Sequence, residues 1–245
     1  MKTRTIILSI AGTVLAFGLL DAAVAFIATR DSVAGPLDLS NVSRIRVVGA
    51  ASDIVITARA DMPLVAELKG ERRGWGAVWH SGWFSGGCPA KGSMRVDGDL
   101  LVIDVGRPAR FFDWSDCTME LSANLKPEAA VVIEQKAARA RLAGDFSAID
   151  IRSDAGDLSF EGHATDVSIS GAALRARLTY DRVMQDETIA IAGRMLDASV
   201  KFLVPTPVSY LVEAVASYVD SALPNTPGAK PAITIRGEMV RTRIE

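Results

Sequence analysis

The chain has 245 residues, of which 49% are hydrophobic, 23% are charged and 6% are aromatic, and its formal net charge is −2. This composition is typical of a folded chain and excludes an intrinsically disordered one. Lysine and arginine form no dense cluster that could follow a phosphate backbone, so nucleic acid is not an expected partner.

The first thirty residues have the order of a secretory signal. Two basic residues precede an apolar run over residues 6–20, and Ala23-Val24-Ala25 follow as a cleavage-like site. An uncleaved anchor also fits, because residues 6–28 are long enough to cross a bilayer as a helix, and large apolar residues continue past the site. We therefore predict that residues 1–30 are a signal peptide or, by preference, an N-terminal membrane anchor. Residues 31–245 are then exported, to the periplasm or to the periplasmic face of the inner membrane.

Short segments of alternating apolar residues follow one another through the exported part. A side-chain period of two, rather than 3.6, is typical of strands joined by tight turns of Gly, Asp and Ser. The segments are residues 44–48, 54–56, 100–103, 119–121, 131–133, 149–151, 158–160, 167–169, 174–178, 189–191, 198–202, 233–235 and 239–240. The pattern predicts an all-β domain over residues 31–245.

A weak internal repeat connects several of these segments. A small or polar residue, then Asp, then apolar-x-apolar recurs at residues 52–56, 156–160 and 165–169, with looser copies at 98–102 and 144–146. Gly accepts a positive φ at a corner, and Asp accepts hydrogen bonds from nearby backbone N–H groups. Stacked coils of this kind bury a core that no single coil could bury, so we predict a β-solenoid. The Asp residues are expected to cap turns rather than bind calcium, because the tandem glycine register of calcium solenoids is absent.

Two stretches are compatible with either helix or strand. Residues 129–142 are rich in Ala, and residues 211–217 have the composition of one or two helical turns. β-Branched residues in the first stretch and prolines on both sides of the second favour strands.

A Gly- and Trp-rich insert at about residues 70–117 interrupts the strand pattern. Its candidate binding residues are the clustered aromatic side chains and the arginines before them: Arg72, Arg73, Trp75, Trp79, Trp83 and Phe84. Large aromatics with nearby Arg are enriched in binding hot spots, and stacked Trp rings also suit sugars. Two alternatives stay open, namely a place at the membrane interface and packing of the rings as a plug over one end of the solenoid.

Cys88 and Cys117 are the two cysteines of the chain, and they flank this irregular region. An even pair in an oxidising compartment favours one disulfide, which typically contributes about 2–4 kcal/mol. Two unpaired buried thiols are the alternative.

The sequence offers little material for catalysis. Its two histidines, His80 and His163, exclude a three-histidine zinc site, and no H-E-x-x-H, C-x-x-C or G-x-S-x-G motif occurs. His163, between Gly162 and Ala164, is expected to be a solvated turn residue. We predict a protein that is not an enzyme and that uses no cofactor and no metal.

Residues 45–56, 154–162 and 204–208 combine Gly and Asp corners with alternating Val and Ile, and they follow one N-terminal hydrophobic segment. With these features the chain resembles the bacterial putative-adhesin family, envelope proteins related to the head domain of putative auto-transporter adhesins. The resemblance covers residues 40–60 and 118–245 and leaves out the insert. It implies a right-handed β-solenoid of unknown biochemical role and supplies no catalytic residues.

Three functions follow as expectations. The first is a non-catalytic envelope protein that presents the aromatic loop to another envelope protein, a glycan or the membrane surface. The second is a carbohydrate-active enzyme on a β-helix scaffold, which would need two carboxylates converging in a groove. Its candidate carboxylates are Asp104, Asp113, Asp116 and Glu120. The third is a purely structural spacer, which predicts no exposed aromatic patch.

Overall fold

The computed structural model describes residues 36–72, 92–106 and 117–245, together with Gly12. The three ranges form ten strands and no helix: β1 Leu37–Asp38, β2 Arg44–Ala58, β3 Val65–Arg72, β4 Gly92–Asp97, β5 Leu100–Val105, β6 Cys117–Leu125, β7 Ala129–Tyr180, β8 Thr188–Phe202, β9 Ser209–Ser221 and β10 Ala232–Ile244. The prediction of an all-β fold is confirmed, including the strand assignment of the two ambiguous stretches. Among the described residues, no helix has the length and apolar character needed to cross a membrane. The predicted signal peptide or anchor lies outside them, apart from Gly12.

The strands form one mixed sheet in the spatial order β1-β3-β6-β2-β7-β8-β10-β9. All neighbours from β6 to β9 in this order run parallel, whereas the pairs β1–β3, β3–β6 and β4–β5 are antiparallel. The register places like residues side by side, so that Ile189 lies between Val167 and Ile233. Alternate apolar residues therefore form columns across the strands, and these columns make the core.

Strand β7 is long because it spans three layers of this stack. Its first part, residues 130–144, pairs with β2, and its last part, residues 166–180, pairs with β8. The middle part contacts both of these parts: Gly162 lies against Gly144, and Gly171 lies against Ser153, with the same separation along the chain in both pairs. The chain thus returns at a regular interval to the same place, one layer further along. The pairing shows a parallel stack of layers, and their form as turns of a solenoid stays a prediction.

One continuous core runs through the stack. Large fully buried side chains run from the start of the described chain to the end of β7: Leu39, Ile45, Ile54, Ile56, Leu101, Ile103, Leu121, Leu125, Ile133, Phe146, Ile151 and Tyr180. The aromatic rings form a column of Phe146, Phe160, Tyr180 and Phe202, with successive ring centroids 6.2, 5.4 and 5.3 Å apart. Such ring pairs stabilise the core beyond the area that they bury.

Charged side chains on the outer face pair between layers. Asp157 binds Arg177 at 3.1 Å, and Asp145 binds Arg182 at 2.7 Å. Where the sequence predicts turn capping, Asp157 and Asp145 instead lie within β7, and each binds an arginine of a later layer. The partners are partly exposed, so each such pair contributes at most about 1 kcal/mol.

The last two strands are not stacked in chain order. β10 pairs with β8 on one side and with β9 on the other, so β9 is the outermost layer although it precedes β10 in the sequence. The backbone N–H of Glu245 donates to the Val200 carbonyl at 3.0 Å, which fixes the end of β10 against β8.

The predicted insert contributes to the sheet at the opposite end. Residues 92–97 and 100–105 form the hairpin β4–β5, and β5 pairs in parallel with residues 44–49 of β2. The second half of β2 pairs with β6. Part of the predicted insert therefore consists of strands in the sheet, and the insert is not a loop over its whole length.

Candidate binding surfaces

The predicted aromatic loop starts and ends at one point of the sheet. Arg72, the last residue of β3, is paired with Cys117, the first residue of β6, in an antiparallel ladder. The other predicted binding residues, Arg73, Trp75, Trp79, Trp83 and Phe84, lie outside the described residues, as does Cys88. The predicted recognition surface and the Cys88–Cys117 disulfide therefore stay predictions.

A second surface lies at the opposite end of the stack, where β8, β10 and β9 meet the end of β7. An open groove of about 690 Å³ crosses these strands, and its residues stand in one register: Ala173, Met195, Met239 and Ala216. Met195 and Met239 are 50% and 54% exposed. Methionine is a flexible, polarisable side chain that is over-used on surfaces that bind varied partners. We call this feature the corner groove.

The outermost strand, β9, continues the same apolar surface. Its side chains include Val215, which is 89% exposed, and Tyr218, which is 64% exposed and lines the corner groove. Within the described ranges, β9 has one neighbouring strand, β10, so its other edge forms no ladder; at the start of that edge the side chain of Asn225 binds the backbone N–H and the carbonyl of Tyr210. A strand edge of this kind offers a row of backbone donors and acceptors to another chain.

The groove region depends on glycine at one close approach between layers. A Cβ on Gly171 would lie 2.9 Å from the carbonyl carbon of Ser153 in the layer below, and closer still to its oxygen. Only glycine allows the two backbones to approach this closely. Gly171 pairs with Gly193, and Gly193 pairs with Gly237, so a column of glycines runs beside the groove.

A third feature is a buried polar cluster at the turn between β7 and β8. His163 is 8% exposed, and its Nε2 lies 3.3 Å from Oε1 of Glu187, whose side chain is 0% exposed. The expectation of a solvated turn histidine is therefore wrong. Asp166 pairs with Thr188 across the β7–β8 ladder. Because Glu187 directly precedes Thr188 and His163 lies three residues before Asp166, this register brings Glu187 close to His163. The periodicity of the repeat, extended past residue 180, was the signal that could have revealed this contact.

Tyr180 adds a hydroxyl to the same neighbourhood. Burial is the main cause that raises its pKa, and the negative charges of Glu187 and Asp166 raise it further. Its hydroxyl has no hydrogen-bond partner among the described residues. Tyr180 is therefore a neutral phenol that shares a buried environment with the Glu187 carboxylate.

The carboxylates proposed for a glycosidase lie apart in the register. Asp104 is paired with Val48 in the first half of β2, and Glu120 is paired with Asp53 in the second half. Asp113 and Asp116, the other two candidates, lie outside the described residues. Their convergence in one cleft stays untested.

No family model matches the chain, and no curated protein matches it. Among solved structures, a putative cell adhesion protein from Clostridium sporogenes ATCC 15579 is similar with a TM-score of 0.33 and 9% identity, over 86% of this chain and 95% of that one. A putative adhesin from Bacteroides fragilis NCTC 9343 is similar with a TM-score of 0.39 and 11% identity, over 85% of this chain and 94% of that one. Likeness this distant carries no argument about what this chain does.

Proposed function

We propose that this chain is a non-catalytic, adhesin-like protein of the bacterial cell envelope, exported and tethered by its N-terminal segment. In this proposal the parallel stack holds binding surfaces away from the membrane. The observation that supports it best is the apolar outer layer: Val215 is 89% exposed and Tyr218 is 64% exposed on a strand whose outer edge, past Tyr210, pairs with no described strand.

The chemistry of this end favours a protein partner. An exposed strand edge binds an extended segment through backbone hydrogen bonds, and neighbouring apolar side chains supply the specificity. Contiguous apolar surface on a soluble domain is typical of an interaction site. The exposed methionines of the corner groove, Met195 and Met239, extend that surface across two further strands.

The aromatic loop is the second surface of the proposal. The antiparallel pairing of Arg72 with Cys117 brings its two ends together at the first end of the sheet order, far from β9 in that order. Indole rings there suit an envelope protein, a glycan or the membrane surface. The two surfaces make separate predictions, because the ends of the loop, Arg72 and Cys117, lie far from β9 in the sheet order.

A sedimentation assay with envelope fractions tests binding at the two surfaces separately. The purified full-length chain in detergent is mixed with outer-membrane vesicles, peptidoglycan sacculi or liposomes, and the bound fraction is measured. Val215→Asp is expected to weaken binding at β9 at least tenfold, the effect of losing one well-buried anchor. Val96→Asp is the matched control, because Val96 is 41% exposed on β4, away from β9 in the sheet order.

The aromatic loop is tested in the same assay with the triple replacement of Trp75, Trp79 and Trp83 by Ala. Loss of binding in this variant assigns the contact to the loop, and loss in Val215→Asp assigns it to β9. The proposal is wrong if the unaltered chain binds no fraction, or if both variants bind as it does. Release of reducing ends from an envelope polysaccharide would instead favour the carbohydrate-active enzyme.

Export is tested independently by a reporter fused after Glu245. A β-lactamase fusion should protect cells from ampicillin, because the lactamase acts only outside the cytoplasm. Carbonate extraction of the membranes then separates an anchored chain from a cleaved one. A fusion that gives no protection would overturn the envelope assignment.

A further inference from the structure

The turn before β8 places two carboxylates beside a histidine. Asp186 and Glu187 immediately precede β8, and His163 lies on β7, the strand with which β8 pairs. One ligand atom from each of the three side chains lies within 4.8 Å of the other two. The cluster is thus a product of the parallel stack and not of a local sequence motif.

The buried members of the cluster are not satisfied by the protein. Oε1 of Glu187 accepts the backbone N–H of Met184. In the part of the chain that the structure describes, Oε2 of Glu187 and Nε2 of His163 have no hydrogen-bond partner. A carboxylate that is removed from water needs a partner of opposite charge or several hydrogen bonds. Oε2 of Glu187 therefore lacks the hydrogen bond or opposite charge that would offset its removal from water.

The basic side chains nearest to this turn along the chain or across the ladder are engaged with other groups. Arg182, in the same turn, binds Asp145 at 2.7 Å. Lys230 donates to Oγ1 of Thr188 at 3.0 Å. Among the described residues, His163 is the basic side chain that the structure places against Glu187, at 3.3 Å, and a bound cation would be a second source of positive charge.

The distances suit a small divalent cation. Ligand atoms at about 2.0–2.2 Å from a tetrahedral zinc ion stand about 3.4 Å from one another. The Nε2–Oε1 separation of His163 and Glu187 is 3.3 Å. Asp186 is exposed, so it can supply the third ligand by a side-chain rotation, and it leaves a path by which the ion enters.

We propose that His163, Asp186 and Glu187 bind a divalent first-row cation of the zinc type, with water as the fourth ligand. One imidazole nitrogen with two carboxylate oxygens suits zinc and its neighbours, whereas calcium and magnesium prefer oxygen alone. The ion neutralises the buried Glu187 and fixes the turn of residues 181–187 to β7. This site goes beyond the binding surfaces proposed above and does not depend on them.

Calorimetric titration of the EDTA-treated full-length chain with ZnCl2 tests the site. The key variant is Asp186→Asn, because Asp186 is exposed and its replacement leaves the core intact. Asp181→Asn is the matched control, with the same change of charge on an exposed residue of the same turn. His163→Ala removes the nitrogen ligand, and its folding is checked by circular dichroism.

We expect one equivalent of zinc on the unaltered chain and on Asp181→Asn, and at least tenfold weaker binding by Asp186→Asn and His163→Ala. Zinc at a hundred times its Kd should raise Tm by about 5–10 °C in the first two proteins only. CaCl2 should raise Tm in none of them. No zinc binding, unchanged affinity in Asp186→Asn and His163→Ala, equal loss in Asp181→Asn, or equal stabilisation by calcium would each overturn the proposal. Unchanged affinity would place the zinc on other residues, and no binding would leave His163 as the described partner of Glu187.

Discussion

Replacing Gly162 by alanine tests how closely the layers of the stack approach one another. Gly162 has a φ of +137°, and a Cβ on it would lie 2.8 Å from the carbonyl carbon and 2.9 Å from the nitrogen of Gly144. Alanine in such a backbone conformation costs about 1–3 kcal/mol. Displacing the neighbouring backbone adds about 1–3 kcal/mol, as for an overpacked core. We therefore expect Gly162→Ala to lower the free energy of unfolding by about 4 kcal/mol, a large part of the usual 5–15 kcal/mol.

Gly98→Ala provides the comparison that isolates the stacking contact. Gly98 also has a positive φ, +63°, but a Cβ there would meet nothing within 4 Å. Its replacement should cost only the backbone strain, about 1–2 kcal/mol. Both variants are measured by urea unfolding followed by circular dichroism. If Gly162→Ala proves no more destabilising than Gly98→Ala, the close approach of the layers is not the reason for the glycine.

Three further outcomes can be checked with the same protein. Tyr180→Phe should leave stability unchanged or raise it by about 1 kcal/mol, because the buried hydroxyl has no described partner; a clear loss in urea unfolding would reveal a hidden one. The guanidinium of Arg44 is the main cause that lowers the pKa of Asp99 to about 2, so this carboxylate stabilises the fold above pH 4, and its contribution is lost as pH falls from about 4 to 2. Asp99→Asn should flatten that part of the stability-against-pH curve at low salt, and an unchanged curve would refute the assignment. Peptide mapping without reductant should find Cys88 joined to Cys117, and two free thiols would contradict the disulfide.

The period of the apolar residues was sufficient to predict the strands. Residues 189–191 and 233–235 alternate in the sequence, and both lie in parallel strands with Ile189 against Ile233 in the core. Alternation reports a local property, the face on which each side chain lies. It therefore predicted the strand content and the core, including the Ala-rich residues 129–142 at the start of β7.

Contacts between layers were beyond the reach of local patterns. Asp157 was expected to cap a turn, but Arg177, from a later layer, binds it at 3.1 Å. His163 was expected in solvent, but Glu187 lies 3.3 Å away because the parallel register of β7 and β8 stacks the two segments. Both differences have one cause: a local repeat predicts where corners fall, whereas the parallel register determines which residues of different layers become neighbours. The role of the aromatic loop between Arg72 and Cys117 stays a prediction, because its Trp residues lie outside the described residues.

The spatial order β8-β10-β9 makes the outermost strand depend on the strand that follows it in the chain. β9 precedes β10 in the chain, yet within the described ranges β9 is paired with no strand other than β10. The ladder of the outermost layer can therefore form only once β10 is in place against β8. Deleting residues 232–245 would remove an internal layer, so β9 would be cut off from β8 instead of the stack being shortened by its final strand.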